Sequence, residues 1–321
     1  MTFRAAGTKL APMGHSFGRR LAAFAVVGAV LAVAGVPFRS GTAPPSKGVE
    51  ERLRPAKRQC PEVVPAATAE PAGVARPNTL WTADVEEGTL GDWRSPADKA
   101  SVAAGGGEFD SGSGQARASH AKAHSGTWAA KLVLADGDGG TRLFRWRELR
   151  VLRESVVSVW LVLPRRYTLT ADRATGRYWN VFQFKSRSPS GRNDPVWFLN
   201  LAEASRGRLR LELIWWHRNL EGPRRGESGF RRFVQTVTDV PVGRWFQLTA
   251  TLRQSRGFDG TLCVWQGARR LFAKSGIRTS FSNCSYNAWC AANEWSVNNY
   301  SDGLSPAPAV IYADDARIAA W

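Results

Sequence analysis

Two neighbouring stretches concentrate the side chains that could hold a ligand: Tyr178-Trp-Asn-Val-Phe-Gln-Phe-Lys-Ser186 and, shortly after, Asn193-Asp-Pro-Val-Trp-Phe-Leu-Asn200. Both mix aromatic, amide and charged groups. Flat aromatic faces stack on sugar rings, and amides and cations bond carboxylates, so this set suits an acidic saccharide. Read as a strand, the first stretch puts Trp179, Val181, Gln183 and Lys185 on one face and Tyr178, Asn180, Phe182 and Phe184 on the other. One face can then pack a core while the other lines a groove that adds Asn193 and Trp197 from the second stretch. The plainer reading is a half-buried strand whose Gln183 and Lys185 meet water.

The elements that must position these residues are short and β-rich. Strand-like runs bounded by Gly, Pro, Asn and Asp occur at 128–134, 141–146, 156–163, 179–185, 196–201, 208–216, 233–237, 245–254, 262–266 and 310–318. No convincing amphipathic helix interrupts them, and no internal repeat suggests a propeller or solenoid. Residues 78–321 are therefore expected to form one antiparallel β-sandwich. Residues 38–77 are rich in Pro, Ala, Arg and Glu without apolar periodicity, which marks a disordered linker. Residues 1–37 hold a basic region and an apolar run from Leu21 to Val36 ended by Pro37. That run is long for a signal peptide and short for a membrane span, so a cleaved signal and a membrane anchor through residues 21–36 both remain open. Either places the domain outside the cell membrane, secreted or anchored at its outer face.

Charge and cysteine content agree with such a destination. The net charge is +17, and the 11 basic and 4 acidic side chains of the first 76 residues leave an excess of ten on the remainder. An anionic partner is expected. Arginine is scattered among strands, loops and the 14 tryptophans, not gathered on a helix or arm, which favours an anionic polysaccharide over nucleic acid. A monomer is expected. Among four cysteines, Cys284 and Cys290 bracket a short loop that a disulfide can close. Cys60 and Cys263 either pair or remain thiols.

Several phrases occur in an order that resembles a known family: Val85-Glu-Glu-Gly-Thr-Leu-Gly-Asp-Trp93, Ala123-His-Ser-Gly-Thr-Trp-Ala129, Arg142-Leu-Phe-Arg-Trp146, Trp179-Asn-Val-Phe-Gln-Phe-Lys-Ser186, Val240-Pro-Val-Gly-Arg-Trp245, Val297-Asn-Asn-Tyr-Ser-Asp302 and Ile311-Tyr-Ala-Asp-Asp315. The chain is similar to the heparin lyase I-like polysaccharide lyases, which in turn resemble the glucuronan lyases. The resemblance implies a concanavalin A-like β-jelly-roll and cleavage of a uronic-acid polymer by β-elimination. That reaction must neutralise the C6 carboxylate, remove the C5 proton and protonate the leaving oxygen. On this reading His124 is the base and Tyr300 its partner, with Arg145, Gln183, Lys185, Asn193 and Trp197 binding substrate. Each has a structural alternative: a histidine bonded to backbone, a tyrosine at the core edge, a solvated strand face for Arg142 and Arg145. The string Arg147-Glu-Leu-Arg150 resembles the arginine motif of jelly-roll alginate lyases, but the companion Gln-x-His position reads Gln183-Phe-Lys185.

No cofactor is required for this chemistry, and no Cys or His spacing resembles a zinc site. The resemblance does imply a structural calcium, for which Glu86, Asp314 and Asp315 are the candidates should the first and last strands pair. A glycoside hydrolase on the same sandwich needs alternating carboxylates on one strand. The best candidate run, Leu209–Trp216, has only Glu212. The remaining competitor is a non-catalytic carbohydrate-binding protein of the cell envelope, which the same groove would serve.

Overall fold

The computed structural model describes residues 59–61, 77–94, 105–149, 154–170, 178–187, 193–217, 229–281 and 293–321, all within the unit Leu53–Trp321. In chain order the strands are β1 (Asn78–Ala83), β2 (Gly106–Ser119), β3 (Ala129–Arg145), β4 (Glu154–Val162), β5 (Thr168–Leu169), β6 (Trp179–Arg187), β7 (Asn193–Glu203), β8 (Leu209–Trp215), β9 (Arg231–Val234), β10 (Phe246–Arg253), β11 (Gly260–Gln266), β12 (Arg269–Ile277), β13 (Asn293–Ser301), β14 (Leu304–Ser305) and β15 (Ala309–Ala320). One helical turn, α1 (Gly91–Arg94), buries Trp93. The main sheet runs β12-β11-β10-β4-β15-β3-β13-β6-β7-β8-β9, every named pair antiparallel, while β5 and β14 form a separate short ladder.

A single sheet makes both walls of the sandwich because β3 changes partners along its length. Ala130–Leu134 pairs with β15 and Gly139–Arg145 with β13, while β2 accompanies β3 throughout. Between the halves lies Ala135-Asp-Gly-Asp138, where the register with β2 shifts between Gly112 and Gly114. At Gly139, with φ +96°, a Cβ would stand 2.6 Å from the Ser111 carbonyl oxygen, so only glycine lets the two strands cross this closely. The first wall is β12-β11-β10-β4-β15 with β1; the second is β13-β6-β7-β8-β9. Between them Leu132, Val157, Val159, Leu161, Leu248 and Leu252 meet Phe182, Phe184, Leu211, Leu213, Trp295 and Val297. Each such side chain contributes about 1.5–3 kcal/mol on burial. The result is the all-β jelly roll that the sequence leads one to expect.

Six strands lie outside the expected runs: β1, β2, β12 and β13 of the main sheet and the two-residue β5 and β14. β2 reads Gly-Gly-Glu-Phe-Asp-Ser-Gly-Ser-Gly and β13 reads Asn-Glu-Trp-Ser-Val-Asn-Asn-Tyr-Ser. Polar or small residues occupy both faces, so neither shows simple apolar alternation; pairing with β3 holds them in place. Conversely, β3 is one strand where two runs are expected, because its glycines bend it without ending it.

β6 also departs from period two. Trp179, Val181, Phe182 and Phe184 all belong to the core. The register slips between Asn180 and Phe182 against β7, and between Val297 and Tyr300 against β13. This bulge re-aims the strand so that Tyr178 and Asn180 share the outer face with Gln183 and Lys185, in place of the two faces predicted.

Cys60 is bonded to Cys263 on the outer side of β11, and Arg270 donates to the Pro61 carbonyl beside it. Cys284 and Cys290, for which a bridge is predicted, lie outside the described residues.

Candidate active site

The outer face of the second wall gathers charged and phenolic groups from three adjacent strands. Register places Glu294 opposite Lys185, Ser296 opposite Gln183 and Tyr300 opposite Asn180; on the other side Asn298 faces Arg142 and Tyr300 faces Gly140. Gly140 is what admits the tyrosine, since a Cβ there would fall 1.7 Å from Tyr300 Cδ2. Behind these groups runs a chain of amides. Asn298 Nδ2 donates to Asn180 Oδ1, and Asn180 Nδ2 donates to Asn200 Oδ1 at 3.2 Å. Such a network fixes the bulged backbone.

Tyr178 and Tyr300 stack with ring centroids 5.7 Å apart. Burial, together with Tyr300 and Asp302 nearby and a hydrogen bond to Tyr300, pushes the Tyr178 phenol up to about 12. Tyr178 therefore keeps its proton at neutral pH and offers it to the Tyr300 oxygen. The Arg142 guanidinium lies 4.7 Å from the Phe109 ring centroid and 5.5 Å from that of Tyr300. Its Nε, like Ser296 Oγ and Asn298 Oδ1, is buried without a protein partner among the described residues. Buried polar groups of this kind take water or a ligand. Lys185 Nζ is 3.5 Å from Glu294 Oε1, and Asn193 Nδ2 donates to Glu294 Oε2 at 2.8 Å. Burial lowers the Lys185 pKa, with Glu294 acting in the opposite direction.

Gln183, Lys185, Asn193 and Tyr300 are thus brought together. Arg145 and Trp197 are not. Arg145 lies an odd number of residues from Arg142 and so points inward: it is 1% exposed, donates to the Trp93 carbonyl and to Glu148, and packs on Trp81. Trp197 is also in the core, stacked on Trp215 at 5.5 Å with its indole N–H donating to the Arg278 carbonyl. Its aromatic face is used for packing and is closed to a sugar.

His124 stands on the opposite side of the sandwich. Its ring stacks on Trp160 at 3.8 Å, and Trp160 points away from the core-facing Val159 and Leu161 of the first wall. Its Nδ1 is 2.6 Å from Asp315 Oδ2 and its backbone N–H donates to Asp314 Oδ2 at 2.7 Å. Together with Trp160, Gln247, Thr249 and Arg317 it lines a cavity of about 670 Å³. The histidine and Tyr300 therefore cannot act on one substrate atom, and the expected pair is not assembled.

The three acids considered for calcium instead clamp the loop that carries His124. Glu86 accepts the backbone N–H groups of Thr127 and Trp128 at 2.9–3.0 Å. Asp314 accepts those of His124, Ser125 and Asp315, and Asp315 takes the Ser125 hydroxyl. The oxygens that a calcium ion would need are directed at N–H and O–H donors, and among the described residues no three His, Cys, Asp or Glu side chains form a metal-holding group. This donor set does not fit calcium. Burial raises the Asp314 pKa to about 6, against the backbone hydrogen bonds that it accepts.

Arg142, Tyr178 and Glu294 complete the site without having been assigned to it from sequence. Parity along β3 would have separated Arg142 from Arg145, and Tyr178 stands at the head of the expected strand. Glu294 gives no such signal, because Trp295 and Val297 are the only apolar residues on the inner side of β13 and the run reads as polar around them.

No family model matches the sequence, and no curated protein matches it. Among solved structures, the endo-β-1,4-glucuronan lyase from the fungus Trichoderma reesei superposes with a TM-score of 0.54, covering 75% of this chain and 95% of that one at 12% identity. The two share a fold. Alginate lyase vAL-1 from Chlorella virus is more distant, with a TM-score of 0.48 over 76% of this chain and 100% of that one at 13% identity. At such identities the likeness is one of architecture, and the chemistry rests on the residues themselves.

Proposed function

We propose that the protein is an exported polysaccharide lyase that cleaves an anionic, uronic-acid-containing polymer by β-elimination on the outer face of the second wall. The observation that carries this reading is the Tyr178–Tyr300 pair beside Arg142, a guanidinium with no ion pair among the described residues. A uronate carboxylate pairs with Arg142, assisted by Gln183 and the neighbouring Lys185, which makes the C5 proton more acidic. The Tyr300 oxygen removes that proton. The C5–H electrons form the C4=C5 double bond, the C4–O4 bond breaks, and Tyr300 returns the proton to the leaving oxygen. Tyr178 stays protonated and holds the Tyr300 oxygen in place. Two further observations support the proposal: the fold shared with a glucuronan lyase, and the Cys60–Cys263 disulfide, which suits an oxidising compartment outside the cytosol. Residues 21–36 would supply the export signal or an anchor.

A carbohydrate-binding protein without catalysis is the second reading. It is favoured by the distance of His124 from this face and by the engagement of Lys185 with Glu294. The deciding experiment incubates the protein with glucuronan, alginate, heparin, hyaluronan and pectate and follows the ultraviolet absorbance of the unsaturated uronyl product. Product from one polymer, abolished in Tyr300→Phe and retained in His124→Ala, establishes the lyase. Binding to a polymer with no product from any of them retires the catalytic roles.

A further inference from the structure

The charge at the proposed site differs from that of the molecule around it. The chain as a whole carries +17, yet here two cations, Arg142 and Lys185, meet a buried carboxylate, Glu294, that acts on both. Glu294 is 6% exposed, and its two oxygens are taken separately by Lys185 and Asn193, so it cannot swing away without breaking both contacts. Asp194 adds negative field at Lys185, and Asp302 does so beside Tyr178. The charge of Lys185 is met internally, which leaves Arg142 to receive an external anion. Arg142, Lys185 and Glu294 together carry one net positive charge, and Asp194 and Asp302 offset it further, so the site holds no surplus of positive charge for a second anion.

We propose that Glu294 is a specificity-determining residue that restricts this face to unsulfated polyuronates and excludes sulfated glycosaminoglycans. The inference rests on the reading of this face as a uronate site. An ester sulfate on the bound sugar would bring a second full negative charge close to a carboxylate held in a low-dielectric position. Repulsion between unit charges at such range costs about tenfold or more in affinity. The basic surface elsewhere can still attract polyanions over longer distances, so attraction and selection are carried by different residues.

Competition calorimetry tests this, because sulfated chains held elsewhere on the basic surface do not displace a ligand from the site. An unsulfated tetraglucuronate is bound first, and a heparin tetrasaccharide is then titrated as competitor against wild type and Glu294→Gln. Wild type should show at least a tenfold preference for the unsulfated ligand, and in Glu294→Gln the ratio of the two affinities should shift about tenfold toward the sulfated competitor, whatever the change in either affinity alone. Equal or better displacement by heparin in wild type overturns the inference, and this holds even if the variant does not fold. An unchanged preference in a folded variant overturns it too. Parallel product assays separate the two ideas. A preference without product sinks the lyase and leaves the inference standing, whereas product from heparin sinks the inference and leaves the lyase standing. If the tetraglucuronate does not bind, an oligomer of alginate or pectate takes its place, and if no unsulfated polyuronate binds, both fall.

Discussion

Arg142 and Arg145 sit on one strand and have opposite fates because their separation is odd. Arg142 lies between the Phe109 and Tyr300 rings on the outer face, whereas Arg145 is buried with Glu148. Their alanine variants should therefore fail differently. Arg142→Ala is expected to lower elimination by about a hundredfold, the scale of one lost charge-assisted contact in a transition state, with the melting temperature nearly unchanged. Arg145→Ala is expected to destabilise the protein by about 3–5 kcal/mol, because it strands Glu148 without its cation. Denaturant titrations with initial rates distinguish the two, and equal loss of stability in both would contradict the assignment. Tyr300 entered only through the family resemblance, whereas Gln183, Lys185 and Asn193 were legible as ligand-holding residues from residue type and strand context. Arg145 and Trp197 were not, since a side chain suited to a sugar is equally suited to a core, and only position along the strand decides between them.

At the scale of elements, local irregularities outweigh the regular pattern. The bulge at Val181 turns Gln183 and Lys185 to the face of Tyr178, and no alternation rule anticipates where a strand breaks its own alternation. The loop carrying His124 is likewise held by acids distant in sequence, Glu86 and Asp314–Asp315, whose pairing depends on strands at the two ends of the domain. That clamp has a predictable pH dependence. Asp314 has a folded pKa near 6 against an ordinary value of 3.8, so the folded state binds its proton more tightly than the unfolded state. Its contribution to stability is present below the ordinary value and is lost as pH rises through about 6. Asp239, held low by hydrogen bonds from Arg210 and by Arg208, has the opposite dependence, so the total need not follow Asp314. Comparing the melting temperatures of wild type and Asp314→Asn from pH 7 to pH 4.5 isolates the term. Their difference should move in favour of wild type as pH falls, and movement the other way would refute the assignment.

On the scale of the whole molecule, the sandwich class was legible from many short strands and no helix pattern, but its construction was not. Folding one sheet back on itself requires β2 and β3 to cross from wall to wall, and their glycine-rich middle reads from sequence as a break between strands. The Cys60–Cys263 bond, one of two alternatives the sequence left open, ties a residue far upstream of β1 to the first wall across a sequence separation of 203. In the chain-entropy model such closure stabilises by at most about 5 kcal/mol. Reduction of wild type, or Cys60→Ser, should lower the melting temperature by several degrees without changing ligand affinity at the opposite face. A loss of affinity would show that the bond supports the site directly.

The order of the main sheet also leaves β12 and β9 as its two ends, each without a further strand partner among the described residues. Both begin with paired arginines, Arg269-Arg270 and Arg231-Arg232, all four exposed, and the pairing of β12 with β11 is broken by bulges. A second copy approaching edge to edge would have to bring like charges together along an irregular ladder. Part of the molecule's strong basicity thus guards against aggregation, so a variant made less basic to weaken polyanion binding would risk self-association if the change were made at these four positions.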